Sequence, residues 1–149
     1  MELLILIILA TIFYALFGIF TSRASGAIDA NLSAVIFNGL GSAIPLLTYI
    51  FFKFIKGTKL IAISASGIIY SILAGAAIAV FSVLLVKIFE KGGLAYVMPL
   101  IYGGIVVLGS LAGWLVFKES VSFLQIVGIA VIIAGIIIVV VSKLQTSLI

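Results

Sequence analysis

Polar residues break the chain at four short places only, residues 22–31, 53–59, 90–94 and 118–122. Between them lie five apolar runs, about 3–21, 32–52, 61–89, 95–117 and 123–141. Each run is long enough to cross a bilayer as a helix, which takes about 20 residues. The pattern predicts an all-α polytopic membrane protein with five transmembrane helices, a single transmembrane domain over residues 1–149. The third run is long for one span, so it either tilts or begins as an interfacial segment before Gly67. The last link is too short to hold a domain, which makes the fourth and fifth helices antiparallel neighbours. Ser122 followed by Gln125 has the spacing of a capping box, in which hydroxyl and amide satisfy free N–H groups at a helix start.

Within the runs, small and polar residues recur at helical spacing. They are Thr11, Tyr14, Ala15, Gly18 and Ser22 in the first run, and Asn38, Gly41, Ser42, Pro45 and Tyr49 in the second. The third has Ser64, Gly67, Ser71, Gly75 and Ser82. The fourth has Tyr96, Pro99, Gly103, Ser110 and Gly113, and the fifth Gln125, Gly128 and Gly135. The remaining faces are Ile, Leu, Val and Phe, suited to lipid. The simplest packing turns the stripes inward. The glycines and serines read first as close helix contacts, with Gly18, Gly128 and Gly135 as packing positions. Asn38 and the tyrosines carry a stronger functional reading, because bulky polar groups at membrane depth need partners or water. Pro45 and Pro99 each remove a backbone donor and tend to kink a helix. The carbonyls so freed can line a cavity.

Composition narrows the classes. The chain is 66% hydrophobic and 8% charged, with a mean hydropathy of +1.58. It contains neither cysteine nor histidine, which removes disulfides, thiolate metal sites and any Ser/His/Asp set. No Gly-rich phosphate loop is present. An enzyme is not expected, nor a metal or cofactor. The net charge of +4 is scattered over helix ends, where basic residues flank spans, and does not suggest nucleic acid. The start, Met-Glu-Leu-Leu, lacks the basic region of a signal peptide and is read as a retained first span.

Gly93-Leu94-Ala95-Tyr96, the turn Lys118-Glu119-Ser120-Val121-Ser122, Gln125, and Gly128 with Gly135 resemble the end of an EamA-like unit of the drug/metabolite transporter superfamily. A proline in this region of the fourth helix, here Pro99, is also common in such units. The last two helices are similar to those of the small multidrug resistance family as well. The resemblance implies a transporter of small metabolites, amino-acid-like or otherwise neutral or zwitterionic, or of hydrophobic drugs. It also implies a structural role for Glu119 in the last turn, where negative charge suits the start of the fifth helix. Small multidrug resistance proteins carry a first-helix glutamate three residues before a glycine, with a lysine five residues beyond it. Here Gly18 and Arg23 fit, but Ala15 stands at the carboxylate position, which argues against proton-coupled drug export.

No Asp, Glu, Lys or Arg lies mid-span. By side of the membrane, Lys53, Lys56, Lys59 and Lys118 stand against Arg23, Lys87, Lys91 and Lys143, four against four. The positive-inside rule therefore gives no orientation. Either the loop 53–59 fixes one orientation, or the chain inserts both ways and pairs as an antiparallel homodimer. Duplicating a five-span unit yields inverted repeats, a common transporter architecture, and full-length superfamily members resemble such a fused pair. The expectation is half of an inverted-repeat transporter in the cell membrane, working as a homodimer by alternating access. Its candidate site residues are Tyr14 and Asn38 for hydrogen bonding and Tyr96 and Tyr102 for stacking or polar contact. Two rivals stand beside it. One is a multidrug exporter of the small multidrug resistance kind. The other is a non-transporting accessory subunit for lipid-linked sugar handling.

Overall fold

The computed structural model describes residues 2–57 and 64–146. They form five long helices: α1 (Glu2–Ala24), α2 (Ala30–Ile50), α3 (Ala65–Lys91), α4 (Leu94–Leu115) and α5 (Phe123–Thr146). A π-helical turn, Phe51–Ile55, continues α2. All five helices hold apolar spans of 21 to 27 residues, so the protein is an all-α polytopic membrane protein. Ends differ from the sequence expectation by a few residues, and the expected start of the third run at Ile61 lies outside the described residues. Pro45 and Pro99 sit inside unbroken helices.

The link from α1 to α2 shows why the ends moved. Gly26 adopts a left-handed φ of 73°, and a bridge between Ser25 and Ile28 closes the turn. Asp29 then caps α2, its carboxylate accepting from the backbone N–H of Asn31 at 2.9 Å and of Leu32 at 3.1 Å. These bonds, first that from Leu32 and then that from Asn31, hold the Asp29 carboxyl below its ordinary pKa. A depressed carboxyl adds stability above its unfolded pKa and loses it as pH falls through the folded value. Asp29→Ala is therefore expected to speed amide hydrogen exchange at Asn31 and Leu32. Acidification through the depressed pKa of Asp29 should likewise lower the protection of these two amides, taken relative to the intrinsic exchange rate at each pH, in the wild type and not in the variant.

The chain falls into two compact units, Met1–Lys91 and Gly92–Ile149. In the first, α3 packs against both α1 and α2. Its buried positions gather where α1 ends, α2 begins and α3 ends: Thr21, Ala30, Ser33, Ala34, Ser82, Leu85, Val86 and Phe89. Small residues dominate on α2, so the backbones approach closely without large side chains between them. Toward the other end the large side chains, from Leu3 and Leu4 to Phe54 and Ile55, are exposed. In water such a surface would cost about 25 cal/mol per Å². Against lipid tails it costs nothing comparable, and the chain is built for a bilayer.

In the second unit α4 packs on α5. Lys118, with a left-handed φ of 57°, reverses the chain between them. The Glu119 N–H donates to the Gly113 carbonyl at 3.0 Å, and its carboxylate lies against Gly113, where a β-carbon would stand 2.7 Å from Oε2. The capping box forms: Ser122 N–H donates to Gln125 Oε1 at 2.7 Å, and Gln125 N–H to Ser122 Oγ at 3.2 Å. The two helices approach closely at Gly103, where a β-carbon would overlap the Ile136 side chain. Gly128 and Gly135 have open space where a β-carbon would point.

Candidate functional site in the two helical units

Asn38 stands on α2 one turn beyond Ala34. Its amide nitrogen donates to the Ala34 carbonyl at 2.8 Å and across to Ser82 Oγ on α3 at 2.9 Å. Ser82 in turn donates to the Ile78 carbonyl at 2.6 Å. Both N–H groups of the Asn38 amide are thus engaged, and the direction of the chain is set: Asn38 to Ser82 to Ile78. Both bonds leave from nitrogen, so the carboxamide oxygen remains as an acceptor. Ser82 is 1% exposed, while Asn38 is half-buried and borders a hollow of about 430 Å³ between α2 and α3. Ala34, Val35, Gly75, Ile78, Ala79 and Val83 complete most of its apolar wall, and Asn31 lies at its rim. Nothing within 4 Å would meet a β-carbon at Gly75, so that position keeps the wall low.

Tyr14 lies on α1, 40% exposed. Its ring tilts against Phe17 at 5.8 Å between centroids. Phe17 meets Phe37 of α2 edge-on at 5.1 Å, in the geometry aromatic pairs prefer. The structure thus brings Tyr14 and Asn38 into one unit, linked through Phe17 and Phe37. Ala15 is exposed and Gly18 is buried on the same helix.

Tyr96 and Tyr102 belong to the second unit, on α4. Six residues separate them, about 120° around the helix, so they do not share a face. Tyr96 is half-buried in the first turn, where its N–H donates to the Gly93 carbonyl at 3.0 Å. Tyr102, whose hydroxyl is buried, lines an open hollow of about 520 Å³ with Met98, Pro99 and Gly103 and, from α5, Ile132, Gly135 and Ile136.

Sequence reasoning placed Ser82 on the small and polar stripe of the third run but not among the site residues, and it did not single out Phe17 or Phe37. Ser82 carried a signal, since it lies seven residues after Gly75 and so on nearly the same face of α3. The two phenylalanines carried none, because their residue type is ordinary in any span. The arrangement offers hydrogen bonds and aromatic faces. Among the described residues no three His, Cys, Asp or Glu side chains come together as a metal site would need.

Neither a curated protein nor a solved structure matches the chain. A family model does, over residues 1–141, which takes in α1 to α4 and most of α5. With that match, the five apolar spans and the polar positions between them, the chain belongs to the EamA-like transporter family.

Proposed function

We propose that the protein carries small neutral or zwitterionic solutes, amino-acid-like metabolites among them, across the cell membrane by alternating access as an inverted homodimer. Membership of the family indicates a membrane transporter of small solutes. The observation that carries the finer reading is the Asn38–Ser82–Ile78 chain beside an apolar hollow. It presents an oriented carbonyl acceptor inside a span and no fixed charge. A cation bound at that depth would need a counter-charge to offset lost hydration, and the spans contain no mid-span Asp or Glu. A neutral donor, or a zwitterion that carries its own compensation, does not need one. Tyr14 acts with Asn38 as a hydrogen-bonding residue, and Tyr96 and Tyr102 supply aromatic faces. Pro45 and Pro99 supply carbonyls freed of their helical donors, with kinks that let the helices move. Gly18, Gly128 and Gly135 form close helix contacts in the assembled dimer, and Glu119 anchors the last turn.

The balance of basic residues, four against four, and the odd number of spans support the inverted pairing. The test is a thermal-unfolding screen of the detergent-purified chain against amino acids, nucleosides, sugars and cationic drugs. A ligand at a hundred times its Kd is expected to stabilise by about 2.7 kcal/mol. Stabilisation by a neutral or zwitterionic class supports the reading. Stabilisation by cationic drugs alone points to a multidrug exporter, and none across the panel to an accessory subunit. Reporters on the C-terminus should give signal from both sides of the membrane, and signal from one side only overturns inverted pairing.

A further inference from the structure

The end of α2 closes in the π-helical turn Phe51–Ile55. Across the π-helical turn the Lys56 N–H donates to the Phe51 carbonyl, five residues back, at 3.0 Å. Gly57, with φ of 62°, then turns the chain away. The widened turn groups Tyr49, Phe51, Phe52 and Phe54 around two lysines. Lys53 Nζ lies 5.2 Å from the Tyr49 ring centre and 5.3 Å from that of Phe54. It also donates to the Tyr49 hydroxyl at 3.0 Å. Lys56 Nζ lies 5.7 Å from the Phe51 ring and 5.6 Å from the Phe52 ring. All four distances fall within the roughly 6 Å over which a ring face attracts a cation.

Lysines at the end of a span ordinarily extend away from it into water. Here each ammonium is held back against two rings, while both lysines stay exposed. A lysine ammonium has three donors. Tyr49 takes one from Lys53, and ring faces take none in a directed way. The result is a pair of ring-held cations a single turn apart, with donors to spare, on a surface whose aromatic residues are all 40% exposed or more. In the first unit Asp29 and Glu90 lie at the opposite end, where α2 begins and α3 finishes. Glu2, at the start of α1, is the single carboxylate of this unit whose sequence position puts it at this one.

We propose that residues 49–56 form a docking surface for the headgroup of an anionic phospholipid. The phosphate is received between Lys53 and Lys56, and Phe54 and the neighbouring rings lie among the upper acyl carbons. Charge complementarity selects an anionic lipid over a zwitterionic one, whose own ammonium competes for the phosphate. The rings select a lipid over a free anion, since inorganic phosphate brings no chain to cover them. The docked headgroup sets the depth of α2 and holds this end at an anionic leaflet. The inference holds for a copy in either orientation and does not depend on the transported solute.

The test incubates the detergent-purified full chain with equal amounts of phosphatidylglycerol and phosphatidylcholine of matched chains. Retained lipid is then counted by native mass spectrometry. Each lysine near an anionic surface is worth about a factor of five, so two give a preference of about twenty- to thirtyfold for phosphatidylglycerol. K53Q/K56Q should fall to within about twofold of no preference, and Tyr49→Phe, which frees Lys53 from its tether, should fall part of the way. Lys143→Gln, at the end of α5, should keep the wild-type preference. Two results overturn the proposal: an undiminished preference in K53Q/K56Q, or displacement of phosphatidylglycerol by millimolar inorganic phosphate, which would mark a simple anion site.

Discussion

Gly103→Leu is expected to destabilise the second unit by about 3 kcal/mol, the upper end of the range for forcing extra carbons into a packed contact. The position has no room for them. A β-carbon there would overlap the end of Ile136 on α5, standing 2.7 Å from its Cγ1, and would lie 3.6 Å from Cγ2 of Ile132. Gly103→Ala is a milder case. The atom it meets is the tip of a flexible side chain, and alanine gains about 1 kcal/mol over glycine in helix propensity, which offsets much of the overlap. The leucine has no such escape, because its branch must displace the whole Ile136 side chain. Truncating that partner should therefore rescue it. Ile136→Ala alone leaves a gap, Gly103→Leu alone leaves a clash, and the double variant fills one with the other. Thermal unfolding of the four proteins in detergent gives the coupling directly, expected at about 2 kcal/mol in favour of the pair. Additive single effects would show that α4 and α5 do not meet at Gly103 as described.

The same contact shows what sequence pattern conveys and where it stops. Five spans were legible because the bilayer imposes a length and a composition on each, and the four polar links are the only places where that condition lapses. The capping box at Ser122 and Gln125 was legible because it is local, three residues apart and satisfied by the backbone between them. Close helix contacts are not local. Gly103, Gly128 and Gly135 all lay on small-residue stripes, yet Gly103 alone of the three has a neighbour where its β-carbon would be. A stripe marks where a helix can be approached and says nothing of which partner fills the approach. The Asn38–Ser82 bond, across 44 residues, is of the same kind: each residue was visible as a polar position, and the pairing was not. The turn at Phe51–Ile55 was hidden for another reason. Phe-Phe-Lys-Phe reads as the ragged end of an apolar run, and nothing in residue type distinguishes an α-helical from a π-helical close.

Asn38→Leu should weaken solute-dependent stabilisation while leaving the folded protein nearly as stable as the wild type. The two effects separate because they draw on different magnitudes. Interhelical hydrogen bonds in membranes average only about 0.6 kcal/mol, since the separated helices find other partners. Losing the bonds to Ala34 and Ser82 therefore costs little, and the leucine regains part of it by packing against Val35 and Ile78. A solute that donates to the Asn38 oxygen fares worse: its donor is left buried and unmet, at about 1–3 kcal/mol, or roughly five- to 150-fold in affinity. Ser82→Ala tests the same geometry from behind. It leaves the Asn38 oxygen in place and removes only the hydroxyl that orients the amide, so affinity should fall by less than tenfold. Titrating the solute found in the thermal screen against all three proteins orders them as wild type, Ser82→Ala, Asn38→Leu. Equal affinity in wild type and Asn38→Leu would remove Asn38 from the site. A large loss of stability in Asn38→Leu with solute affinity unchanged would make the Asn38–Ser82 pair a fastening between α2 and α3, and would place the solute elsewhere on the chain.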